Sequence, residues 1–69
     1  MIEIKIRDDH IRLGQAMKLA GIVSDGVQAK LEIQQGNVTV NGEQETRRGR
    51  KLYKDDVFCF DGNEVKICI

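Results

Sequence analysis

Residues 36–42 read Gly-Asn-Val-Thr-Val-Asn-Gly, which is the pattern of a short strand followed by a tight turn. Its two valines alternate with polar residues, which is the period of two expected of a strand with one buried face. The Asn-Gly pair at 41–42 is a strong signal for a two-residue hairpin turn, because both residues accept a positive φ angle. Residues 37–40 are therefore predicted to pair with residues 43–46 in an antiparallel hairpin.

Two helices are predicted upstream of this hairpin. The first has an apolar face with the spacing i, i+3, i+4 and i+7, made of Leu13, Ala16, Met17 and Ala20. Asp8 or Asp9 is expected to cap its start, and Gly21 is expected to end it. The polar side of this helix holds Arg12, Gln15 and Lys18. Two cations are therefore predicted to point away from the core.

The second helix is predicted to begin after a cap at Ser24 or Asp25 and to run to about residue 35, where a glycine closes it. The two helices then form a short hairpin. Ala29 and Ile33 mark one apolar side of the second helix, whereas Val27 and Leu31 mark a nearly opposite side. We expect both sides to be covered, with the first strand as the candidate for the second cover and Lys30 near the rim.

Strands are also predicted at both ends of the chain. Isoleucines alternate with charged residues over residues 2–7, which predicts a half-buried first strand. Apolar residues alternate over residues 57–60 and 64–69, on either side of a turn at residues 61–63, and these segments are predicted to form a closing antiparallel hairpin. A two-helix hairpin packed on a small, mostly antiparallel mixed sheet is an α+β fold, and we expect residues 1–69 to form one domain.

The two cysteines, Cys59 and Cys68, lie in these last apolar strands, where free cysteine behaves as a small hydrophobic residue. With a turn centred on Gly62-Asn63, Cys59 would face Lys66 and not Cys68, so no disulfide is expected. Zinc normally takes three or four ligands with local pairing, and the chain offers only these cysteines and His10. We therefore expect no metal and no other cofactor. The sequence also contains no pair of a nucleophile and a base that would indicate an enzyme.

Composition excludes several other classes of protein. Hydrophobic residues make up 41% and charged residues 32% of the 69 positions, which is usual for a folded domain and not for a disordered tail. No apolar run approaches the length that spans a membrane, so we expect a cytoplasmic protein. We also expect the protein to be a monomer. One Tyr, two Phe and no Trp leave few aromatic platforms for stacking bases, so RNA binding here would depend on charge and shape.

The formal net charge is zero, yet residues 47–51 read Arg-Arg-Gly-Arg-Lys and carry four positive charges. A guanidinium group can donate two parallel hydrogen bonds to phosphate oxygens, and the glycine between the arginines lets the main chain approach a phosphate closely. Acidic residues concentrate elsewhere, at residues 3–9, 43–45 and 55–64. Because the charges are segregated, the basic run predicts a phosphate-binding segment.

Residues 12–60 resemble a known family through several unlike features that occur in order. These are an Arg-Leu pair opening a helix, a glycine between two helices, an Ala-Lys pair on a capped second helix, Gly-x-Val-x-Val-Asn-Gly, and the basic run. The combination is similar to the αL RNA-binding domain of ribosomal protein S4, and more narrowly to very small, free-standing bacterial members. The resemblance implies that the helical hairpin and a loop of the sheet form one basic surface for the backbone of folded RNA, usually ribosomal or transfer RNA.

The resemblance also implies which residues contact RNA. Arg12 matches the family's arginine at the head of the first helix, and Lys30 matches a basic residue after the alanine of the second. The basic run matches the segment that follows the hairpin in the small members, and Lys18 is a secondary candidate on the first helix. The predicted RNA contacts are Arg12, Lys18, Lys30, Arg47, Arg48, Arg50 and Lys51. No catalysis is implied, because in multi-domain relatives the catalysis belongs to other domains.

The chain departs from the family's pattern at three places. Asp25-Gly26 stands where many members have an arginine, so one cation is absent there. Gln44 replaces a common valine. Asp55 stands where glycine is usual, and we expect it to accept a left-handed backbone conformation.

An alternative function is a small protein-interaction module in which the basic loop is incidental. Its contact surface would use three apolar residues on the helices, Leu19, Val27 and Leu31. Salt dependence separates the two functions, because phosphate contacts weaken as salt is added and an apolar interface hardly responds.

Overall fold

The computed structural model describes residues 1–69 as two α-helices and seven β-strands. The helices are α1 (Leu13–Leu19) and α2 (Gly26–Gln34). The strands are β1 (Ile2–Lys5), β2 (His10–Arg12), β3 (Val38–Val40), β4 (Glu43–Gln44), β5 (Lys51–Tyr53), β6 (Val57–Phe60) and β7 (Asn63–Cys68). The predicted α+β class and the two-helix hairpin are confirmed. Neither helix is both long enough and apolar enough to cross a membrane.

Five strands form one sheet in the order β1-β7-β6-β3-β4, and β2 and β5 form a separate antiparallel pair. β1 runs parallel to β7, and all other pairs are antiparallel, which confirms the predicted mixed sheet. β1 is two residues shorter than predicted. The β3–β4 turn has positive φ angles of 52° at Asn41 and 86° at Gly42, as an Asn-Gly hairpin turn requires.

The core consists of 14 buried apolar residues, which come from both helices, from the five-stranded sheet, from β5 and from the segments that follow β1 and α1. Leu13, Ala16 and Met17 of α1 are fully buried, which confirms the predicted apolar face of that helix. Ala29 and Ile33 of α2 are buried as well. The opposite, polar side of α1 is left at the surface, where it can contribute to a binding site.

The start of α1 differs from the prediction that Asp8 or Asp9 caps it. The helix begins at Leu13, and Arg12 is the flanking residue in an extended conformation, with no side chain capping the helix. The reason is that β2 keeps the preceding residues extended by pairing with β5. A strand of three residues is too short to appear in hydrophobic periodicity, so the helix was expected to begin earlier.

α2 begins as one of the two predicted alternatives. The Asp25 carboxylate accepts a hydrogen bond from the N–H of Gln28 at 2.8 Å, and the helix is closed at Gly36, where φ is +83°. The prediction that the first strand covers the second apolar side was wrong, since Val27 is 68% and Leu31 51% exposed. β1 instead pairs with β7 at the edge of the sheet and contributes to the common core.

The closing hairpin turns one residue earlier than predicted. Positive φ angles of 51° and 78° at Asp61-Gly62 place the turn there, so Cys59 faces Glu64 and not Lys66. Both cysteines are free. Asp55 has a φ of 72°, which confirms that an aspartate takes the left-handed conformation usually given to glycine at this position.

Candidate nucleic-acid interface

The basic loop, residues 45–50 between β4 and β5, is attached to the start of α1 by its main chain. The N–H of Leu13 donates a hydrogen bond to the carbonyl oxygen of Arg50 at 2.8 Å, and the N–H of Gly14 donates to that of Arg48 at 3.0 Å. The first N–H groups of a helix have no partner within the helix. The loop therefore takes the place of a side-chain cap and is held beside the head of α1.

A cleft of about 240 Å³ lies between this loop and the two helices, and no hydrophobic side chain lines it. It brings together three predicted cations, one from the head of α1, one from its last turn and one from the loop. The residues that line this basic cleft are Arg12, Gly14, Gln15, Lys18, Gly26, Arg48 and Gly49. Cations that are distant in sequence therefore meet at one place on the surface.

Three glycines, Gly14, Gly26 and Gly49, line the basic cleft. The Lys18 Nζ atom lies 4.0 Å from the position that a Cβ atom would take on Gly26, so a lysine of α1 reaches the first residue of α2. Around Gly49, no atom lies within 4 Å of the corresponding position. An anion that enters the cleft can therefore approach main chain as well as cationic side chains.

The other four predicted cations lie outside the basic cleft. Arg47, Arg50 and Lys51 line a neighbouring, more open depression together with Tyr53, and Gly49 borders both sites. Lys30 is exposed on α2 and lines neither. The predicted set thus divides into a cleft group, a depression group and one separate lysine.

Glu45 is the acidic member of the loop, and it is 5% exposed. Its Oε2 atom accepts hydrogen bonds from the N–H groups of Thr46 and Arg47 and from the Nε of Arg47, at 3.0–3.1 Å. Its Oε1 atom accepts from Arg47 Nη2 at 3.2 Å and from Arg50 Nη1 at 2.8 Å. The expectation that the carboxylates of residues 43–45 lie apart from the basic run was therefore wrong for Glu45.

Hydrogen bonds from Arg47 and Arg50 lower the pKa of Glu45 from 4.5 to about 2, against the opposing effect of burial. Because the folded pKa lies below the unfolded one, the unfolded chain binds the proton more readily. The stabilisation by Glu45 is thus complete above pH 4.5 and is lost as the pH falls towards 2.

We expect the free energy of unfolding to fall by about 1–2 kcal/mol more in the wild type than in Glu45→Gln between pH 5 and pH 2. The full shift would correspond to roughly 3 kcal/mol, and solvent screening of the 75% exposed Arg47 side chain reduces it. Urea unfolding of both proteins across this range measures the difference, in which the other carboxylates cancel. Parallel curves for the two proteins would contradict this assignment of the pKa shift.

Several residues of the site were not among the predicted contacts. Gln15 lines the basic cleft, and its place on the polar side of α1 between two cations is the sequence signal that could have indicated it. Lys5 and Arg7 line a further depression that shares Arg12 with the cleft. Tyr53 is 47% exposed and lines the open depression beside its three cations.

The family model described as "S4 domain" matches residues 4–68, nearly the whole chain. The chain belongs to the S4 domain family. An S4-domain relative from Bacillus subtilis (strain 168), named "Probable ribosome maturation protein RlbA", is 44% identical over 59 residues, which cover 86% of this chain and 83% of that protein. YbcJ from Escherichia coli (strain K12) is 36% identical over 58 residues, which cover 84% of this chain and 83% of YbcJ.

The S4-domain fold is also found in the solution structure of Escherichia coli YbcJ, whose description names an αL motif involved in RNA binding. The two structures align with a TM-score of 0.77 and 31% sequence identity, covering 100% of this chain and 89% of YbcJ. The predicted family and its αL fold are therefore confirmed.

Proposed function

We propose that this S4-domain chain binds structured RNA, ribosomal or transfer RNA, and catalyses no reaction. The observation that carries the proposal is the meeting of Arg12, Lys18 and Arg48 in a cleft without hydrophobic lining. The relatives support the same class of function, because one is named for ribosome maturation and the structure of another is described by a motif involved in RNA binding.

The ligand of the basic cleft is a phosphate group of the RNA backbone. The volume of the cleft, about 240 Å³, is smaller than the roughly 300–1,000 Å³ of pockets that enclose drug-sized molecules, so the cleft suits a small anionic group. Arginine binds phosphate oxygens through paired N–H groups, and lysine adds a point charge. Such contacts position a protein without reading base sequence, so RNA shape supplies the specificity.

The predicted contact residues have different roles in RNA binding. The three cleft cations hold one phosphate, and Arg47 and Lys51 contact phosphates that follow along the same strand. Arg47 has five N–H donors on its guanidinium and uses two of them on Glu45, so three remain for RNA. Arg50 is bonded to Glu45 and its side chain is only partly exposed, and Lys30 lines neither site, so both contribute less.

A protein-interaction module is the second candidate, because Leu19, Val27 and Leu31 are all more than half exposed on the two helices. An apolar surface of this kind can mark a partner's contact site. The two candidates use different parts of the molecule, so one titration distinguishes them.

A salt titration of RNA affinity tests the proposal. Each neutralised phosphate contributes a slope of about 0.7–0.9 in a plot of log affinity against log salt. One phosphate in the cleft and one each at Arg47 and Lys51 therefore predict a slope of at least about 2. Affinity should therefore fall roughly 20-fold or more between 50 and 200 mM salt. Fluorescence anisotropy with a labelled transfer RNA and a labelled ribosomal RNA hairpin measures it, and Leu31→Gln, which removes apolar surface only, serves as a control.

An affinity that is independent of salt, or that is lost in Leu31→Gln, would reject phosphate binding in favour of the apolar surface. Absence of binding to either RNA by the folded protein would reject the function altogether.

A further inference from the structure

A buried carboxylate lies inside the surface that is proposed to bind an anionic backbone. Coulomb repulsion between the Glu45 carboxylate and a phosphate would weaken RNA binding, since the carboxylate lowers the positive potential that the phosphate meets. Yet Glu45 is almost fully buried and accepts five hydrogen bonds, all from its own loop. Glu45 therefore has a structural role within the loop, which an exposed surface carboxylate would not have.

We propose that Glu45 is a positioning residue for RNA binding, which fixes the course of the basic loop and thereby sets Arg48 in the basic cleft. This inference rests on the proposed function and adds a residue whose charge has the same sign as that of the ligand. The loop's arginines accordingly divide into one that enters the cleft and two that hold the loop together.

The hydrogen bonds show how one carboxylate fixes the whole loop. Its Oε2 atom accepts the N–H groups of Thr46 and Arg47 and so bends the chain back at the loop's first residues. Its Oε1 atom accepts from Arg50 at the other end, and the N–H of Arg50 also donates to the carbonyl oxygen of Arg47 at 3.2 Å. Both ends of the segment that contains Arg48 are thus bound to the same side chain.

The fixed loop in turn meets α1 through its carbonyl groups. Those of Arg48 and Arg50 accept the N–H groups of Gly14 and Leu13, which places the Arg48 side chain beside the polar side of α1. A loop released from Glu45 would order Arg48 only when RNA binds, and ordering side chains and loops on binding lowers affinity.

The test compares Glu45→Gln with Glu43→Gln. Glu43 is exposed on β4, makes no hydrogen bond or ion pair through its side chain, and loses the same charge when it is changed to glutamine. The glutamine amide nitrogen at position 45 is a donor and cannot accept from arginine or from the main chain. If charge alone mattered, both variants would bind RNA slightly better than the wild type.

We expect Glu45→Gln to bind roughly five- to tenfold more weakly, because the loop must be ordered on binding, while Glu43→Gln binds as well as the wild type or better. Since Glu45→Gln removes an anion and no cation, its salt slope should not decrease. Equal or tighter binding by folded Glu45→Gln would overturn the inference. Should that variant not fold, Glu45→Asp keeps the charge with a shorter reach and is expected to bind more weakly as well; wild-type affinity in Glu45→Asp would overturn it.

Hydrogen exchange of the Leu13 and Gly14 amides gives a readout that needs no RNA. Faster exchange at these two amides in Glu45→Gln, with the α2 amides unchanged, is expected if the loop leaves α1. Unchanged exchange overturns the inference even if the wild type binds RNA as proposed. If the wild type binds no RNA, the proposed function fails, and the amide exchange still decides whether Glu45 sets the loop.

Discussion

Changing Arg48 to glutamate is expected to lower affinity for structured RNA about 100-fold near physiological salt, while the protein stays folded. Arg48 is the one arginine of the basic run that lines the basic cleft with Arg12 and Lys18, and no carboxylate is bonded to its side chain. A hydrogen bond to a charged group is worth roughly 1.5–3 kcal/mol, and the new carboxylate adds repulsion. About 1.4 kcal/mol corresponds to each tenfold change in affinity.

The fold tolerates this change because the loop is attached through the main chain of residue 48, whose carbonyl group remains. Lys66→Glu is the matched control, since it reverses one charge on the outer face of the sheet. Its neighbours Val65 and Ile67 are buried, so Lys66 points away from the core, where it pairs with Asp55 at 3.7 Å. Anisotropy titrations of both variants decide the matter, and a similar loss in each would indicate a general effect of net charge and not a site at the cleft.

Changing Phe58 to alanine is expected to lower the free energy of unfolding by about 3–5 kcal/mol. Phe58 is the largest of the fully buried side chains, and in the sheet it lies between Val40 of β3 and Val65 of β7. A domain of 69 residues has a stability of roughly 3–10 kcal/mol. The change should therefore remove a large part of that stability, because it takes away the side chain on which both neighbouring strands pack.

Phe60→Ala is the control for this second prediction, because Phe60 lies two residues along the same strand and is only partly buried. We expect it to cost about 1–2 kcal/mol, in proportion to the smaller buried area. Urea unfolding followed by circular dichroism measures both variants. Equal losses for the two, or less than about 1 kcal/mol for Phe58→Ala, would show that the core is centred elsewhere.

Most of the fold could be predicted because its elements carry strong local signals. The Asn-Gly turn and the close of α2 at Gly36 each depend on residues whose backbone preferences are specific. The closing hairpin was also predicted, with its turn one residue too late. The pair of β2 and β5 gave no such signal, since each has three residues and its partner is about 40 positions away. Because β2 pairs with β5, α1 begins at Leu13 and not directly after Asp8 or Asp9. The missed long-range pairing therefore caused an error in the predicted start of the helix.

The second side of α2 was misjudged for a different reason. Apolar residues on two sides of a helix favour burial on both, but Val27 and Leu31 are exposed. Periodicity shows which residues can be buried, and it does not show whether another element is present to cover them.

The candidate site was predictable in its residue types and not in its internal arrangement. The family resemblance indicated Arg12 and the basic run, and the structure brings Arg12 and Arg48 into one cleft. That Glu45 binds two of the three arginines follows from the bend of the loop, which sequence spacing does not reveal. Whether the predicted residues contact RNA stays a prediction for the variants described.

The attachment of the basic loop through carbonyl groups has a consequence for divergence within the family. Every residue type supplies the same carbonyl oxygen, so the side chain at position 48 can be replaced during evolution without loss of that hydrogen bond to α1. The side chain at position 51 can be replaced as well, because the main chain of that residue pairs with Arg12 of β2. Gene duplicates could thus acquire new RNA preferences by exchanging these few side chains while inheriting an unchanged framework. Libraries randomised at these two positions would exploit the same freedom in the laboratory.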